Sequence, residues 1–407
     1  MNVLYLSYDG LTDPLGQSQI LPYLSRLSRH GFKFTVISCE KEAGFRAHGE
    51  NIRLLLREYS IDWVPITYTK NPPVLSTVWD IRKIRRTALR LHQEKQFALV
   101  HCRSYITAFV GLQMKRAYNI PFIFDMRGFW ANERVEGGLW NKKNPLYNLI
   151  YRYFKYKEGD FLAGADCIIS LTHKAKAEIQ SWKSFSNINI KVIPCCVDTA
   201  LFDREHTGEE KSSVLRQKLS IHRQDFVITY LGALGTWYML PEMLDFFSLL
   251  LQQRPEAKFL FITPENPAHI LKVAAEKGIP AGKLCITSAP RKDVPALLSL
   301  SDAGLFFIRP VYSKLASSPT KLGELMSMGI PVITNKKIGD MEEILLPTGA
   351  GLFIDDFSTP AYERAIAGMD NLLKTDREKI RRAAKESFSL EKGVDTYLEA
   401  YQSVIHS

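Results

Sequence analysis

A segment in the second half of the chain combines a helix start with two charged side chains. Residues 317–332 read SSPTKLGELMSMGIPV, in which a polar stretch precedes an apolar helical pattern and Gly329 ends it before a strand. The free N–H groups of such a helix start, together with the helix dipole, favour a phosphate group. Lys321 adds a cation in the first turn, and Glu324 follows on the same face with a carboxylate that suits two sugar hydroxyls. A structural helix with a Lys–Glu surface pair is the alternative interpretation.

Hydroxyl groups and cations elsewhere in the second half extend this predicted phosphate site. Ser317, Ser318 and Thr320 stand at the helix start, where serine and threonine commonly cap free N–H groups. Arg291 follows an apolar run at 284–287, and Arg309 directly follows another at 305–308. Either guanidinium could bind a phosphate, whereas a solvated loop charge or a structural role remains the alternative for each.

A second group of candidates lies in the first half, where the apolar run 122–125 ends. Arg127 stands there beside Gly128, and a guanidinium in that position can bind a phosphate or a sugar hydroxyl with two hydrogen bonds. A structural ion pair between Arg127 and Asp125 is the alternative. His101 lies in the preceding apolar run, and we interpret it as a buried core histidine.

Short apolar runs alternate with segments of helical period along the whole chain. Buried parallel strands have this continuous apolar pattern, so the alternation predicts parallel sheets covered by helices. The predicted strands are residues 3–7, 34–38, 99–102, 122–125, 167–171 and 191–194 in the first half, and 226–231, 259–262, 284–287, 305–308, 332–334 and 352–354 in the second.

The charged segment 203–213 lacks apolar periodicity and predicts a linker between two domains. We therefore expect an α/β protein with two Rossmann-like domains, residues 1–200 and 201–385, whose parallel sheets face each other across a cleft. Residues 386–407 are predicted to form a helix that returns to the N-terminal domain. Ligands of such sheets bind outside the carboxyl ends of the strands.

The composition is that of an ordinary soluble globular protein. The 407 residues are 46% apolar and 24% charged, which argues against a disordered chain, a coiled coil or a collagen-like protein. No apolar run approaches the ~18 residues of a membrane span, and the first residues predict a strand rather than a signal peptide. The six cysteines form no C-x-x-C pair, so we expect buried free thiols, a cytoplasmic location and no metal site.

Positive charge is concentrated in the first half of the chain. Residues 1–200 hold 28 basic and 17 acidic side chains, a net charge of +11, whereas residues 201–407 hold 25 and 26, a net charge of −1. Two helical segments, 80–92 and 144–161, place arginines and lysines beside apolar or aromatic residues. This combination favours peripheral contact with an anionic membrane, here the inner face of the cell membrane. No recognisable nucleic-acid module accompanies the charge, so we expect no nucleic-acid partner.

These motifs, in this order, resemble the family 4 glycosyltransferases, which have the GT-B fold. The resemblance rests on Glu324 followed by Gly-Ile-Pro-Val at 329–332, on VIPCCVD at 192–198 with Phe202 after it, and on ADCIIS at 165–170. The loop at residues 9–19 also matches, which implies an acceptor or phosphate loop that contains Gly16 and Gln17. The resemblance implies that Glu324 binds the ribose of a nucleotide-sugar donor and that the C-terminal domain binds the donor.

The chain departs from the family pattern at three positions. Many members carry a further Glu, which contacts the transferred sugar, where this chain has Ala316. Many have His-Gly where this chain has Arg127 and Gly128. Many also carry an Arg and a Lys in a loop that reads GALGTWY here, at residues 232–238. In that loop Gly235 and Thr236 are left to bind phosphate through backbone N–H groups and a hydroxyl, and Lys321, Arg291 or Arg309 would supply the positive charge.

The resemblance implies a hexosyltransferase-like enzyme that moves a sugar from a nucleotide-diphosphate sugar to an acceptor and retains the anomeric configuration. We expect the N-terminal domain to bind the acceptor, a polyprenyl-linked molecule or another glycan precursor of cell-surface polysaccharide biosynthesis. We expect no metal and no other cofactor, because helix N-termini and cations such as Lys321 and Arg127 can stabilise a departing diphosphate. A nucleotide-sugar epimerase on the same fold and a non-catalytic nucleotide-sugar binder are the alternatives.

Overall fold

The computed structural model describes residues 1–405, apart from the side chain of His206. They divide into two compact units: unit 1 is Met1–Pro194 together with the helix that begins at Leu390, and unit 2 is Cys195–Ser389. In both units parallel strands alternate with helices, as the apolar runs predict. All six cysteines are buried free thiols, as predicted.

Unit 1 contains, within the described residues, a seven-stranded parallel sheet. Its order is β3-β2-β1-β4-β5-β6-β7. The strands are β1 (Asn2–Ser7), β2 (Lys33–Glu40), β3 (Asp62–Thr67), β4 (Leu99–Arg103), β5 (Phe122–Asp125), β6 (Cys167–Ser170) and β7 (Ile190–Val192). The helices of this part are α1 (Pro14–Gln19), α2 (Leu21–Leu27), α3 (Glu42–Glu58), α4 (Leu75–Lys95), α5 (Ser104–Tyr118), α6 (Trp130–Glu136), α7 (Pro145–Gly164) and α8 (His173–Ser181).

Unit 2 has a six-stranded parallel sheet in the part of the chain that the structure describes. Its order is β10-β9-β8-β11-β12-β13. The strands are β8 (Val227–Leu231), β9 (Lys258–Ile262), β10 (Leu284–Thr287), β11 (Ala303–Leu305), β12 (Val332–Asn335) and β13 (Gly351–Ile354). The helices are α9 (Glu209–Lys218), α10 (Leu240–Gln253), α11 (Pro267–Glu276), α12 (Val294–Leu298), α13 (Thr320–Ser327), α14 (Met341–Leu345), α15 (Thr359–Leu373) and α16 (Arg377–Phe388).

The last helix, α17 (Leu390–Ile405), packs in unit 1 against α2 and β7, although it follows unit 2 in the sequence. Short 3-10 turns complete the described elements, at Ser28–His30, Arg204–His206, Ala281–Lys283, Arg291–Asp293 and Tyr312–Ala316. Within residues 1–405, no helix is both long enough and apolar enough to cross a membrane.

Three elements differ from the sequence prediction. β3 was not predicted because it lies at a sheet edge, is largely half-buried and contains Pro65, so it lacks a continuous apolar run. β11 ends at Leu305, and further along the apolar run the Ile308 backbone bonds to the side chain of Asn335 and forms an isolated bridge with Tyr238. Residues 203–213, predicted to be a linker, contain a 3-10 turn and the start of α9.

Candidate active site

The start of α13 lies at the carboxyl edge of the unit 2 sheet, because the helix connects β11 to β12 in a parallel crossover. The N-cap residue of α13 is Pro319, whose side chain cannot accept a hydrogen bond from the helix N–H groups. The predicted serine or threonine cap is therefore not observed within residues 317–328. The first N–H groups of the helix therefore remain available to a ligand, as the phosphate prediction requires.

Lys321 is buried in the first turn of α13 and lies against two tyrosine rings. Its Nζ is 3.4 Å from the ring centroid of Tyr238 and 3.8 Å from that of Tyr230. Among residues 1–405 this Nζ has no hydrogen-bond partner. Burial lowers the pKa of Lys321 well below its ordinary value, and only the nearby Glu324 carboxylate opposes that shift. An anion beside the ammonium would accept its hydrogen bonds and raise its pKa again.

Glu324 lies one turn further along α13 and forms its ion pair with Arg291 rather than with Lys321. Arg291 Nη1 lies 2.6 Å from Glu324 Oε1, and the guanidinium carbon is 5.1 Å from the ring centroid of Phe202. Glu324 is buried, whereas the Arg291 side chain is about a third exposed. The pair therefore holds the carboxylate in one orientation at the surface of the site.

The loop that follows β8 approaches the same helix start. Gly232 has a φ of 99°, and a Cβ added there would lie 3.7 Å from Lys321 Nζ. Because Gly232 has no side chain, the space beside the Lys321 ammonium stays open to a ligand. Gly235, with a φ of 52°, and Thr236 are exposed on this loop and can offer N–H groups and a hydroxyl to a phosphate.

In unit 1 a buried carboxylate fixes the loop between β1 and α1. Glu40 accepts hydrogen bonds from the backbone N–H groups of Leu11 (2.7 Å) and Thr12 (3.1 Å), and from two hydroxyls. Gly16 packs against this loop so closely that a Cβ would lie 2.6 Å from Leu11 Cα. Gln17 donates from Nε2 to the Thr12 carbonyl at 3.0 Å. The loop is thus held rigidly at the carboxyl end of β1.

A buried charged cluster occupies the carboxyl ends of β4 and β5 in unit 1. Asp125 is fully buried, with Arg103 Nη1 at 3.7 Å and Arg127 Nη1 at 3.6 Å from its two oxygens. Burial alone would raise the pKa of the Asp125 carboxyl, but Arg127, the His101 imidazole 3.5 Å away and Arg103 outweigh it and lower the pKa to about 2. Asp125 is therefore ionised at neutral pH and shared between two guanidinium groups.

The helix α17 supplies two tyrosines to this cluster. Tyr397 donates to Asp125 Oδ2 at 3.0 Å, and the Tyr401 hydroxyl lies 2.7 Å from His101 Nδ1. Burial raises the pKa of both phenols well above the usual value and lowers the pKa of His101, so all three groups are neutral at pH 7. His101 is the buried core histidine that the sequence predicted.

Two family models match the sequence and together cover most of it. The model described as Glycosyltransferase Family 4 matches residues 19–201, and the model described as Glycosyl transferases group 1 matches residues 212–387. The chain belongs to the family 4 glycosyltransferases.

Solved structures show that this glycosyltransferase has the GT-B fold. Sucrose-phosphate synthase from Thermosynechococcus elongatus matches at a TM-score of 0.73 with 13% identity, over 100% of this chain and 99% of that one. Anabaena HepE in complex with UDP and glucose matches at 0.70 with 14% identity, over 99% and 100%. UDP-GlcNAc 2-epimerase from Neisseria meningitidis, bound to UDP-GlcNAc, matches at 0.59 with 13% identity, over 99% and 100%. No curated protein sequence gives a significant match.

In the structure of the glycosyltransferase, some of the predicted donor-site residues lie close together and others do not. Lys321, Glu324 and Arg291 gather at the start of α13. Ser318 accepts a hydrogen bond from the Cys195 N–H at 3.1 Å, which gives it a structural role. Ser317 and Thr320 are half-buried at the helix start, and Arg309 is exposed after β11.

Sequence reasoning missed the tyrosines that surround the charged groups of the glycosyltransferase. Tyr230 lies in β8 and Tyr238 lies at the end of the loop that follows it, residues 232–238. Both positions can be read from the sequence. Tyr397 and Tyr401 are four residues apart, a spacing that puts both on one helix face. No signal in the sequence identified Asp125 and His101 as their partners. Within residues 1–405, no group of three or more His, Cys, Asp or Glu side chains could hold a metal ion.

Proposed function

We propose that this glycosyltransferase transfers a sugar from a nucleoside-diphosphate sugar, bound by unit 2, to a lipid-linked or other glycan-precursor acceptor, bound by unit 1. The observation that carries the donor assignment is Lys321, a buried ammonium without a hydrogen-bond partner among residues 1–405, at an uncapped helix start. A diphosphate would accept hydrogen bonds from both. Glu324, held by Arg291, would bind two ribose hydroxyls.

The proposed reaction retains the anomeric configuration, as the resemblance to the family motifs around Glu324 implies. The bond between the anomeric carbon and the diphosphate oxygen breaks, and the acceptor oxygen bonds to the same face of that carbon. The acceptor hydroxyl proton passes to the departing diphosphate oxygen. Lys321 and the α13 N-terminus would stabilise the charge that develops on the diphosphate, and this proposal needs no metal.

The fold is shared with an epimerase of similar shape, so the fold alone does not select transfer over epimerisation. Two glycosyltransferase family models over residues 19–201 and 212–387 favour transfer. An assay that separates glycosylated acceptor from free sugar isomer distinguishes the two activities. Isomer formation without acceptor would support the epimerase alternative, and nucleotide-sugar binding with neither product would support a non-catalytic binder.

We predict that Glu324→Gln weakens nucleoside-diphosphate binding by about 3 kcal/mol, on the order of a hundredfold in Kd. The amide keeps the size of the side chain but loses the charge that strengthens hydrogen bonds to ribose. UDP is the first ligand to test because the Anabaena structure holds UDP and glucose. Titration calorimetry with UDP, and with GDP and other nucleoside diphosphates if UDP does not bind, measures the change.

The matched control is Glu276→Gln, which makes the same change at the exposed end of α11 and should leave nucleotide affinity unchanged. A folded Glu324→Gln variant that binds the nucleotide as tightly as the wild type would exclude Glu324 from the donor site. Failure of the wild type to bind any nucleoside diphosphate would contradict the proposed donor class.

The acceptor proposal rests on an exposed apolar and basic surface of unit 1. Leu75 and Trp79 at the start of α4, and Leu146 and Leu149 at the start of α7, are each more than half exposed. α4 follows β3 and therefore begins at the carboxyl edge of the sheet, whereas α6 lies between β5 and α7. Exposed arginines continue along α4 at positions 82, 85, 86 and 90. Apolar side chains beside cations suit the interface of an anionic membrane, where a polyprenyl-linked acceptor with a sugar hydroxyl would lie.

We predict that the protein binds vesicles containing phosphatidylglycerol at low salt and releases them at high salt. Each basic side chain near an anionic surface contributes about 1 kcal/mol, and added salt screens this attraction. Vesicle sedimentation measures the bound fraction. Replacing all four arginines by alanine should lower it strongly; Lys83 is left in place because it bonds to buried Asp80 at 2.9 Å.

A matched control removes four exposed lysines of unit 2 and should change vesicle binding little. The lysines are Lys218, Lys272, Lys292 and Lys379. Equal losses in the two quadruple variants would show an effect of net charge alone. Wild-type protein that ignores anionic vesicles at low salt would contradict the membrane proposal and favour a water-soluble acceptor.

A further inference from the structure

Unit 2 contains a crevice at the amino edge of its sheet, opposite the edge where α13 begins. The crevice has a volume of about 920 Å³. Its walls come from α9 and from segments that lead into strands, including residues 220–223 before β8 and 299–300 before β11. Because β8 has five residues at ~3.3 Å each, about 16 Å of strand separates the crevice from the Lys321 site.

The crevice is lined by side chains that commonly bind phosphate groups. Arg204, Arg216 and Arg223 contribute guanidinium groups, and five serine and threonine residues contribute hydroxyls. Glu209 is the one carboxylate among the described lining residues. Arginine guanidinium groups bind phosphate oxygens with paired, charge-assisted hydrogen bonds, and hydroxyls complete such sites.

Arg204 provides the observation that points to an anionic ligand. Its Nη1 is buried and has no hydrogen-bond partner in residues 1–405. Burial lowers the pKa of Arg204, and the charges of Arg377 and Arg216 lower it further, while Asp302 opposes them. Nη1 thus lacks an acceptor, and two like charges lie near the guanidinium, which Asp302 offsets only in part. An anion in the crevice would offset the repulsion between these guanidinium groups.

The segment that carries Arg204 is fixed to the body of unit 2. The preceding residue, Asp203, lies 2.6 Å from Arg381 Nη2, and Arg381 is itself nearly buried on α16. Asp203 also accepts a hydrogen bond from the Glu205 N–H at 2.9 Å. The backbone of Arg204 is therefore held on both sides, so its side chain is presented to the crevice by a fixed turn.

We propose that this crevice is a second binding site, separate from the donor site, for a small molecule that carries a phosphate group. Its volume lies within the ~300–1,000 Å³ of small-molecule pockets. Its position at the opposite edge of the sheet makes its binding independent of the nucleotide contacts of Glu324 and Lys321. Free phosphate and a phosphate ester share the proposed contacts, and the experiment distinguishes them.

Titration calorimetry on the full chain tests the site with inorganic phosphate and, separately, a hexose phosphate, at constant ionic strength set with chloride. We expect saturable binding that Arg204→Gln weakens at least about tenfold. Arg216→Gln, on a different element, should give a similar loss. Lys218→Gln removes the same charge from the exposed end of α9, outside the crevice, and should bind as the wild type does.

UDP affinity measured on each variant reports on the donor site independently, and thermal unfolding shows that the variant is folded. Tighter binding of the hexose phosphate than of inorganic phosphate, lost in Arg204→Gln, would identify the ester as the ligand class. Equal affinities, both lost in that variant, would assign the site to the phosphate group alone. The proposal would be overturned if wild type bound neither probe saturably, or if Arg204→Gln bound as tightly as the Lys218→Gln control.

Discussion

Replacing Lys321 by methionine is expected to lower kcat by two to three orders of magnitude while making the protein more stable. The side chain keeps its length, so the space between Tyr230 and Tyr238 stays filled, but the cation beside the departing diphosphate is lost. A preorganised charge of this kind contributes about 3–4 kcal/mol to the transition state. A buried ammonium without an acceptor costs about 1–3 kcal/mol of folding free energy, and methionine removes that cost.

Steady-state kinetics and chemical unfolding on the same variant measure both effects. Lys272→Met, an exposed lysine on α11, is the matched control and should change neither. The affinity for the nucleotide sugar should fall less than kcat, because the charge on the diphosphate develops fully only as the glycosidic bond breaks. An increase in KM with kcat unchanged would contradict the leaving-group role.

Proton uptake provides a second readout for Lys321. Burial lowers the pKa of Lys321 in the free protein, and an incoming diphosphate raises that pKa again. Calorimetry in buffers of different ionisation enthalpy, repeated over a range of pH, should therefore show that nucleotide binding is coupled to proton uptake by the wild type. The methionine variant should take up less.

Asp125→Asn is expected to destabilise the protein by about 3–5 kcal/mol, because it leaves Arg103 and Arg127 without their buried counter-charge. Chemical unfolding measures the loss. Asp9→Asn is the control: Asp9 also pairs with Arg103, at 3.6 Å, but it is nearly half exposed and should contribute below about 1 kcal/mol. A loss for Asp125→Asn as small as that of the control would show that the cluster tolerates unbalanced charge.

The Asp125 carboxyl is also expected to make the stability of the wild type depend on pH. Its pKa is about 2 in the folded protein and about 3.8 in the unfolded chain, so folding is favoured by the ionised form. This contribution, about 2 kcal/mol, is complete above pH ~5 and is lost as the pH falls from about 4 to 2. The Asp125→Asn variant should lack this part of the acid-dependent loss of stability.

The alternation of apolar runs predicted the fold well because both sheets are parallel and buried on both faces. The prediction was wrong where residues are buried without pairing in a strand, and where a strand pairs without being fully buried. Ile308 is buried but is bonded to the side chain of Asn335, so the apolar run continues beyond β11. β3 pairs with β2 at the edge of its sheet but is only half-buried, so its sequence does not show it.

The candidate site was predictable in its residue types but not in their partners. Glu324 and Lys321 were placed correctly on one helix start, yet their spacing suggested that they pair with each other. In the structure Glu324 pairs with Arg291, which is 33 positions away in the sequence, and Lys321 lies against rings instead. Contacts between residues so far apart depend on tertiary packing, which periodicity along one helix does not encode.

Because α17 belongs to unit 1, that unit is interrupted in the chain by all of Cys195–Ser389. A ribosome that adds about 5–20 residues per second needs roughly 10–40 s to pass from Pro194 to Leu390. During this interval Asp125 and His101 have been synthesised, but Tyr397 and Tyr401 have not. Unit 2, which is continuous, can complete its fold first. The protein is therefore expected to mature in the reverse of the usual order during synthesis, with the N-terminal unit finished last.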